Sequence, residues 1–211
     1  MKKHILVLDY GVGNIKSILA AFKIFDTRVK LGSSAADFQN AKALVLPGVG
    51  AFQHGMIRLK EGNLDQEIKN FATLDKPILG ICLGMQMLFT NSEEFGSSSG
   101  LNLINGSVRK LQPSLQHKLP NISWSQIHAE HSTEPLLQGI NESDCFYHIH
   151  SFYAAPDNEK YVMANTKYSN KSYCSIVKKG NIFGCQFHPE KSGKQGLKII
   201  NNFVGISNDH E

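Results

Sequence analysis

A cysteine flanked by glycines is the place in this 211-residue chain where residue types and spacing most clearly suggest chemistry. Residues 76–90 read Lys-Pro-Ile-Leu-Gly-Ile-Cys-Leu-Gly-Met-Gln-Met-Leu-Phe-Thr. Pro77 to Ile81 is a short apolar run, as in a buried strand, and Leu83 to Phe89 is rich in strong helix formers. Cys82 stands at the join, with Gly80 two residues before it and Gly84 two after. This is the spacing of a nucleophile elbow. A strand that turns sharply into a helix leaves no room for Cβ atoms beside the nucleophile, so glycines flank it. The thiol then sits on a tight bend at a helix N-terminus, where free N–H groups favour an anion. The competing reading is a buried structural cysteine, the commoner fate of a free thiol.

A thiol nucleophile needs a base that also returns a proton to the leaving group. Of nine histidines, His188 stands out, at the end of an apolar run in Gly184-Cys185-Gln186-Phe187-His188-Pro189-Glu190. Pro189 stops strand pairing, and Glu190 is close enough to orient the imidazole as a third member. A strand-end histidine beside a solvated glutamate is the plainer alternative. His148 and His150 share a strand face by their spacing of two, and a metal pair there lacks a nearby third ligand. Acyl transfer also requires oxyanion donors. Leu83, the residue after the nucleophile, offers one backbone N–H. The turn Pro47-Gly48-Val49-Gly50 offers a second, unless it is an ordinary connection between strand and helix. No Lys-Ser/Thr follows it, so it is not a phosphate-binding P-loop.

The elements that must position these groups read as an α/β chain. Strands are expected at His4–Leu8, Thr27–Leu31, Ala43–Leu46 and Pro77–Ile81. They alternate with helical stretches ending near Phe25 and over Phe52–Leu74, the latter broken near Gly62, and this alternation implies a parallel sheet. The Asp9–Asn14 turn has only two of the three glycines of a dinucleotide fingerprint. Asn91–Gly100 and Glu134–Ser143 read as loops. Short β-like runs follow: Gly106–Leu111, Ile122–Ile127, Cys145–Tyr153, Tyr161–Thr166, Tyr173–Val177 and Ile182–Phe187. A last helix is expected over Gly193–Phe203. The second half therefore extends the core as mostly antiparallel sheet, within one domain over residues 1–211.

Composition narrows the class. A hydrophobic share of 41% is ordinary for a globular chain of this length. A net charge of +4 from scattered Lys and Arg argues against nucleic acid as a partner. The four cysteines form no C-x-x-C pair, so neither a zinc site nor a disulfide framework is indicated. The apolar run after the N-terminus is too short for a signal peptide and no later run could span a bilayer, so the expected location is cytoplasmic, where a catalytic thiol stays reduced.

With these parts in place the sequence resembles the class I, triad-type glutamine amidotransferases, along nearly its whole length. Within them it is similar to the branch of glutaminase subunits of imidazole glycerol phosphate synthase. The resemblance rests on Pro47–Phe52, Gly80–Gln86 and Gln186–Gly193 taken together, with Asp9–Asn14 marking the branch. It implies a flavodoxin-like α/β fold, a mainly parallel central sheet with an antiparallel β extension. It implies a Cys82–His188–Glu190 triad and a flipping oxyanion peptide at Val49, with Gly50 beside it. It implies L-glutamine held near Gly50, Gln86, Glu94, Ser151 and Phe152, with no cofactor and no metal. The implied partner is a HisF-like (β/α)8-barrel cyclase, docked near Asn14, Trp124 and Tyr147, that takes up the ammonia for imidazole glycerol phosphate and AICAR formation in histidine synthesis.

One segment departs. Pro120-Asn121-Ile122-Ser123-Trp124-Ser125 stands where the branch usually has Pro-His-Met-Gly-Trp-Asn. That keeps open a paralogous subunit supplying ammonia to a sugar amidotransferase in surface-polysaccharide synthesis. A stand-alone γ-glutamyl cysteine hydrolase and a non-catalytic binding module are the other readings. The Asp9–Asn14 segment speaks against the first of these and the three intact triad residues against the second.

Overall fold

The computed structural model describes residues 3–130 and 133–209. Strand and helix alternate through β1 (His4–Leu8), α1 (Ile15–Phe22), β2 (Val29–Gly32), β3 (Ala41–Leu46), α2 (Phe52–Glu61), α3 (Leu64–Thr73), β4 (Ile78–Ile81) and α4 (Leu83–Met87). The second half runs through β5 (Phe89–Ser92), β6 (Ser98–Ser99), β7 (Ile104–Lys110), β8 (Asn121–Gln126), β9 (His128–Ala129), β10 (Cys145–His150) and β11 (Phe152–Pro156). It finishes with β12 (Val162–Tyr168), β13 (Lys171–Lys179), β14 (Ile182–Cys185) and α5 (Gly193–Asn208).

The main sheet has the order β2-β1-β3-β4-β14-β13-β12-β9. Its first five strands are parallel, and the rest continue antiparallel. β1, β3 and β4 are buried along their whole length because both faces are covered, the mark of a parallel sheet. Leu44 and Leu46 of β3 face Phe52 and Leu59 of α2 and Ile68 and Phe71 of α3. Their neighbours Ala43 and Val45 face Ile18 and Phe22 of α1 and Ile199 and Phe203 of α5. Strand order 2-1-3-4-14 reproduces the flavodoxin-like doubly wound pattern, in which ligands bind beyond the carboxyl ends of the strands.

β14 is the element that matters for the site. It comes from the antiparallel half of the chain yet lies parallel to β4, with Ile81 beside Cys185. The residues just after each strand, Cys82 and the Gln186–Glu190 segment, therefore emerge side by side.

Three local expectations are corrected. The run Cys145–Tyr153 is two strands: β10 pairs with β8 and β11 with β7, and the chain changes sheet at Ser151. β5 and β6 lie partly in the expected loop 91–100, because β5 pairs with β7 and β6 with β5, which holds a polar segment extended. α4 stops at Met87, where the chain turns into β5.

Candidate active site

The backbone of Cys82 has φ 53° and ψ −109°, a region that L side chains rarely adopt. It is held there by bonds on both sides. Its N–H donates to the carbonyl of Cys185 over 2.8 Å, and its own carbonyl accepts from Gln86 N–H over 3.1 Å. The flanking glycines are required by close approach. A Cβ on Gly84 would stand 1.8 Å from the Leu46 carbonyl oxygen, and one on Gly80 would stand 2.7 Å from the backbone of Met85.

His188 leaves the end of β14 clamped by its backbone. Its N–H donates to the carbonyl of Tyr147 over 3.0 Å, and its carbonyl accepts from the Ser192 hydroxyl over 2.6 Å. The ring donates from Nδ1 to Glu190 Oε1 over 2.8 Å, with both side chains almost wholly buried. A carboxylate accepts only, so the Nδ1 proton is fixed and Nε2 is left for the Cys82 sulfur. Burial by itself would lower the imidazole pKa. The hydrogen bonds to Cys82 and Glu190 outweigh it and push the ring up to about 10. The arrangement can hold a proton on His188 and release it when charge on sulfur is consumed.

A cavity of about 320 Å3 opens above these groups. Val49, Gly50, Leu83, Gln86, Glu94, Ser151 and Phe152, all singled out in the sequence, line it together with Cys82 and His188. The buried Gln86 amide donates to the Phe152 carbonyl over 2.8 Å and to Gln186 Oε1 over 3.0 Å. Glu94 Oε2 accepts the N–H of Phe52 over 2.7 Å, which caps α2 and ties the Val49–Gly50 turn to the β5–β6 turn. Gly50 has φ +91°, with open space where a Cβ would stand.

Asn14, Trp124 and Tyr147 do not line the cavity. Asn14 precedes α1. Trp124 is 58% exposed and faces Tyr147 across the β8–β10 ribbon, ring centroids 5.8 Å apart. His148 and His150 do share a face, and both reach one hydroxyl. Tyr173 Oη lies 2.9 Å from His148 Nδ1 and 3.3 Å from His150 Nε2. His150 Nδ1 is 2.9 Å from the Phe152 carbonyl, which can only accept, so Nδ1 carries the proton. Burial holds the His150 pKa down to about 4, leaving Nε2 bare to accept the Tyr173 proton. His148 Nδ1 then donates to the Tyr173 oxygen.

Sequence reasoning did not single out Gln186, Tyr10, Ser192 or Tyr173. Gln186 is fully buried, and its Nε2 lies 3.7 Å from the Cys82 sulfur. Its sequence signals are its place two residues before His188 and at the head of the Gln186–Gly193 segment.

The glutamine amidotransferase class-I family model matches residues 6–206. The chain is 44% identical over 209 residues to imidazole glycerol phosphate synthase subunit HisH 1 of Legionella pneumophila (strain Lens), covering 95% of this chain and 98% of that protein. It is 40% identical over 202 residues to imidazole glycerol phosphate synthase subunit HisH of Bacillus mycoides (strain KBAB4), covering 96% and 94%. Among solved structures, PurLQS from Thermotoga maritima superposes with a TM-score of 0.74 at 18% identity, covering 97% of this chain and 99% of that one, a likeness of fold. With a strand-end cysteine at a strained elbow, a buried histidine–glutamate pair beside it and this kinship along nearly its full length, the chain belongs to the class-I glutamine amidotransferases.

Proposed function

We propose that this chain is the glutaminase subunit of an imidazole glycerol phosphate synthase and hydrolyses L-glutamine through Cys82, His188 and Glu190. One juxtaposition carries the reading: parallel β4 and β14 bring the strained Cys82 elbow next to a buried His188–Glu190 pair. The identity to HisH subunits supplies the pathway. The whole chain, residues 1–211, acts as one amidotransferase unit in the cytoplasm.

The Cys82 thiolate attacks the side-chain amide carbon, and the backbone N–H groups of Leu83 and of the Val49–Gly50 turn receive the oxyanion. His188 Nε2 gives its proton to the departing nitrogen, so ammonia leaves and a γ-glutamyl thioester remains. Water attacks the thioester, His188 takes up a proton, and glutamate departs from the restored thiolate. Glu190 orients the ring and stabilises its charge throughout. Gly50, Gln86, Glu94, Ser151 and Phe152 hold the substrate, and no cofactor or metal is needed. Ammonia freed into water is mostly protonated and no longer a nucleophile. It must therefore pass through a closed interface to a HisF-like (β/α)8-barrel cyclase seated near Asn14, Trp124 and Tyr147, which uses it to form imidazole glycerol phosphate and AICAR.

The test is glutamate release by the isolated chain, then with the cyclase and its nucleotide substrate. Stimulation by the histidine-pathway cyclase is expected. No glutamate under either condition would overturn the reading. The altered Asn121–Ser125 segment favours a second reading, a paralogous subunit in sugar amidation. Stimulation only by a barrel that works with a sugar amidotransferase would select it.

A further inference from the structure

A second cavity, of about 440 Å3, lies against the back of the candidate active site. The wall between them is shared residue by residue. Phe152 lines the cavity over Cys82 and Tyr153, the next residue of β11, lines the other. Glu94 and Glu93 divide in the same way. Successive residues of a strand point to opposite faces, so one thickness of β-structure separates the two spaces at Phe152–Tyr153. A third link is Tyr173. Its ring lines the second cavity, while its hydroxyl bonds to His150, which lines the first, and to His148.

The chemistry of the second cavity is distinct. Tyr153 is half-buried in its wall and packs on the buried Tyr173 behind it, ring centroids 6.0 Å apart. Arg109 and Lys171 stand around it, Arg109 on the same strand face as Tyr153, and no carboxylate forms a salt bridge with either among the described residues. Arg109 Nε is engaged only with the Ser107 hydroxyl, at 2.9 Å. The one carboxylate in the lining, Glu93, accepts the backbone N–H of Lys110 over 2.6 Å. A volume of this size suits a small organic ligand. Two cations beside an aromatic ring suit one that carries both a ring and a phosphate.

We propose that this cavity is a second ligand site for a phosphate monoester bearing a planar ring, and that its occupancy is felt at Cys82 through Tyr173. The ring packs on Tyr153, which itself packs on the buried Tyr173, and Arg109 and Lys171 hold the phosphate. A ligand pressed on Tyr153 bears on the Tyr173 ring packed behind it and biases the position of the Tyr173 hydroxyl. That hydroxyl is the common partner of His148 and His150, and His148 packs edge-on against Phe187, next to His188. Ligand and active site are thereby coupled through one buried polar cluster.

The experiment uses the full chain and phenyl phosphate, with inorganic phosphate and phenol as separate probes. Isothermal titration calorimetry should show saturable 1:1 binding of phenyl phosphate, tighter than either separate probe. The double substitution Arg109→Ala/Lys171→Ala, at two exposed positions outside the catalytic machinery, should weaken it by about tenfold or more. Saturating phenyl phosphate should change the rate at which iodoacetamide alkylates Cys82 in the wild type. It should not do so in Tyr173→Phe, which keeps the ring and loses the hydroxyl. Absence of saturable binding, binding that the double substitution leaves intact, or a Cys82 rate that ignores the ligand would each overturn the proposal. Alkylation needs neither glutamine turnover nor a partner subunit, so the outcome is separate from the fate of the glutaminase reading.

Discussion

The hydroxyl of Tyr10 donates to the carbonyl oxygen of Pro47 over 2.6 Å, at the buried base of the turn that carries Val49 and Gly50. The bond anchors one end of a turn whose other end, at Phe52, is held by Glu94. Tyr10→Phe keeps the ring and strands a buried acceptor, which costs ~1–3 kcal/mol. A lower denaturation midpoint with unchanged slope is expected. A midpoint equal to that of the wild type would mean that water or a shifted backbone replaces the bond.

The same anchored turn bears on activity. With its ends fixed, the Val49–Gly50 peptide is the part left to rotate, and Gly50, at φ +91° with open space beside it, tolerates the change. An oxyanion hole lacking one donor loses roughly 10²–10³ in rate. Low basal glutaminase activity is therefore expected, rising on that order when the cyclase and its ligand favour the flipped peptide. Full activity of the isolated chain would defeat the gating idea.

Cys82 should be the residue labelled by an electrophilic glutamine analogue. Burial pushes the thiols of Cys174 and Cys185 well above their usual range, so neither competes. Cys82→Ala should abolish glutamate release and keep the fold. Its backbone strain, at φ 53° and ψ −109°, should show in a comparison of two inactive variants. Cys82→Gly is expected to be more stable than Cys82→Ala by about 1–3 kcal/mol. A thermal melt ranking Ala above Gly would contradict the strain.

Stability should depend on the charge of His188. Its folded pKa, about 10, lies above its ordinary value of 6.5. A raised pKa means that the folded state binds the proton more tightly than the unfolded chain. The stabilisation is thus complete below about pH 6.5 and fades as pH rises through about 10. The margin of wild type over Glu190→Gln, measured by denaturant titration at several pH values, should shrink across that window. A margin that grew with pH would reverse the assignment. In turnover, Glu190→Gln should cost less than His188→Ala, because Glu190 acts through the ring.

What could be read in the chain was local. Gly80, Cys82 and Gly84 announce a bend because close packing forbids a Cβ at two fixed offsets. The apolar runs of β1, β3 and β4 announce a two-sided sheet because both faces are covered. His188 was singled out only because Pro189 and Glu190 follow at once. The remainder was illegible because it depends on partners far along the chain. Nothing near Tyr10 points to Pro47, nothing near Glu94 points to Phe52 N–H, and Gln186 meets Gln86 only after β14 has docked on β4. β5 and β6 carry Ser, Asn and Thr without alternation, so their extended form comes from pairing, β5 with β7 and β6 with β5, and not from propensity. The change of sheet at Ser151 was hidden because one apolar run served two sheets.

The insertion of β14 between β4 and β13 also sets an order of events during synthesis. Cys82 and Gln186, in contact across 104 positions of sequence, belong to segments that leave the ribosome at quite different times. A nascent chain that has emerged only as far as β13 holds the thiol and the oxyanion turn but has neither base nor β14 to close the elbow. Until the final strand slides in beside it, β4 is a bare edge and the cysteine an ordinary one. Chains stalled or truncated before residue 182 should therefore leave cellular glutamine untouched, and the same fragments should be drawn to any free strand that can occupy the gap.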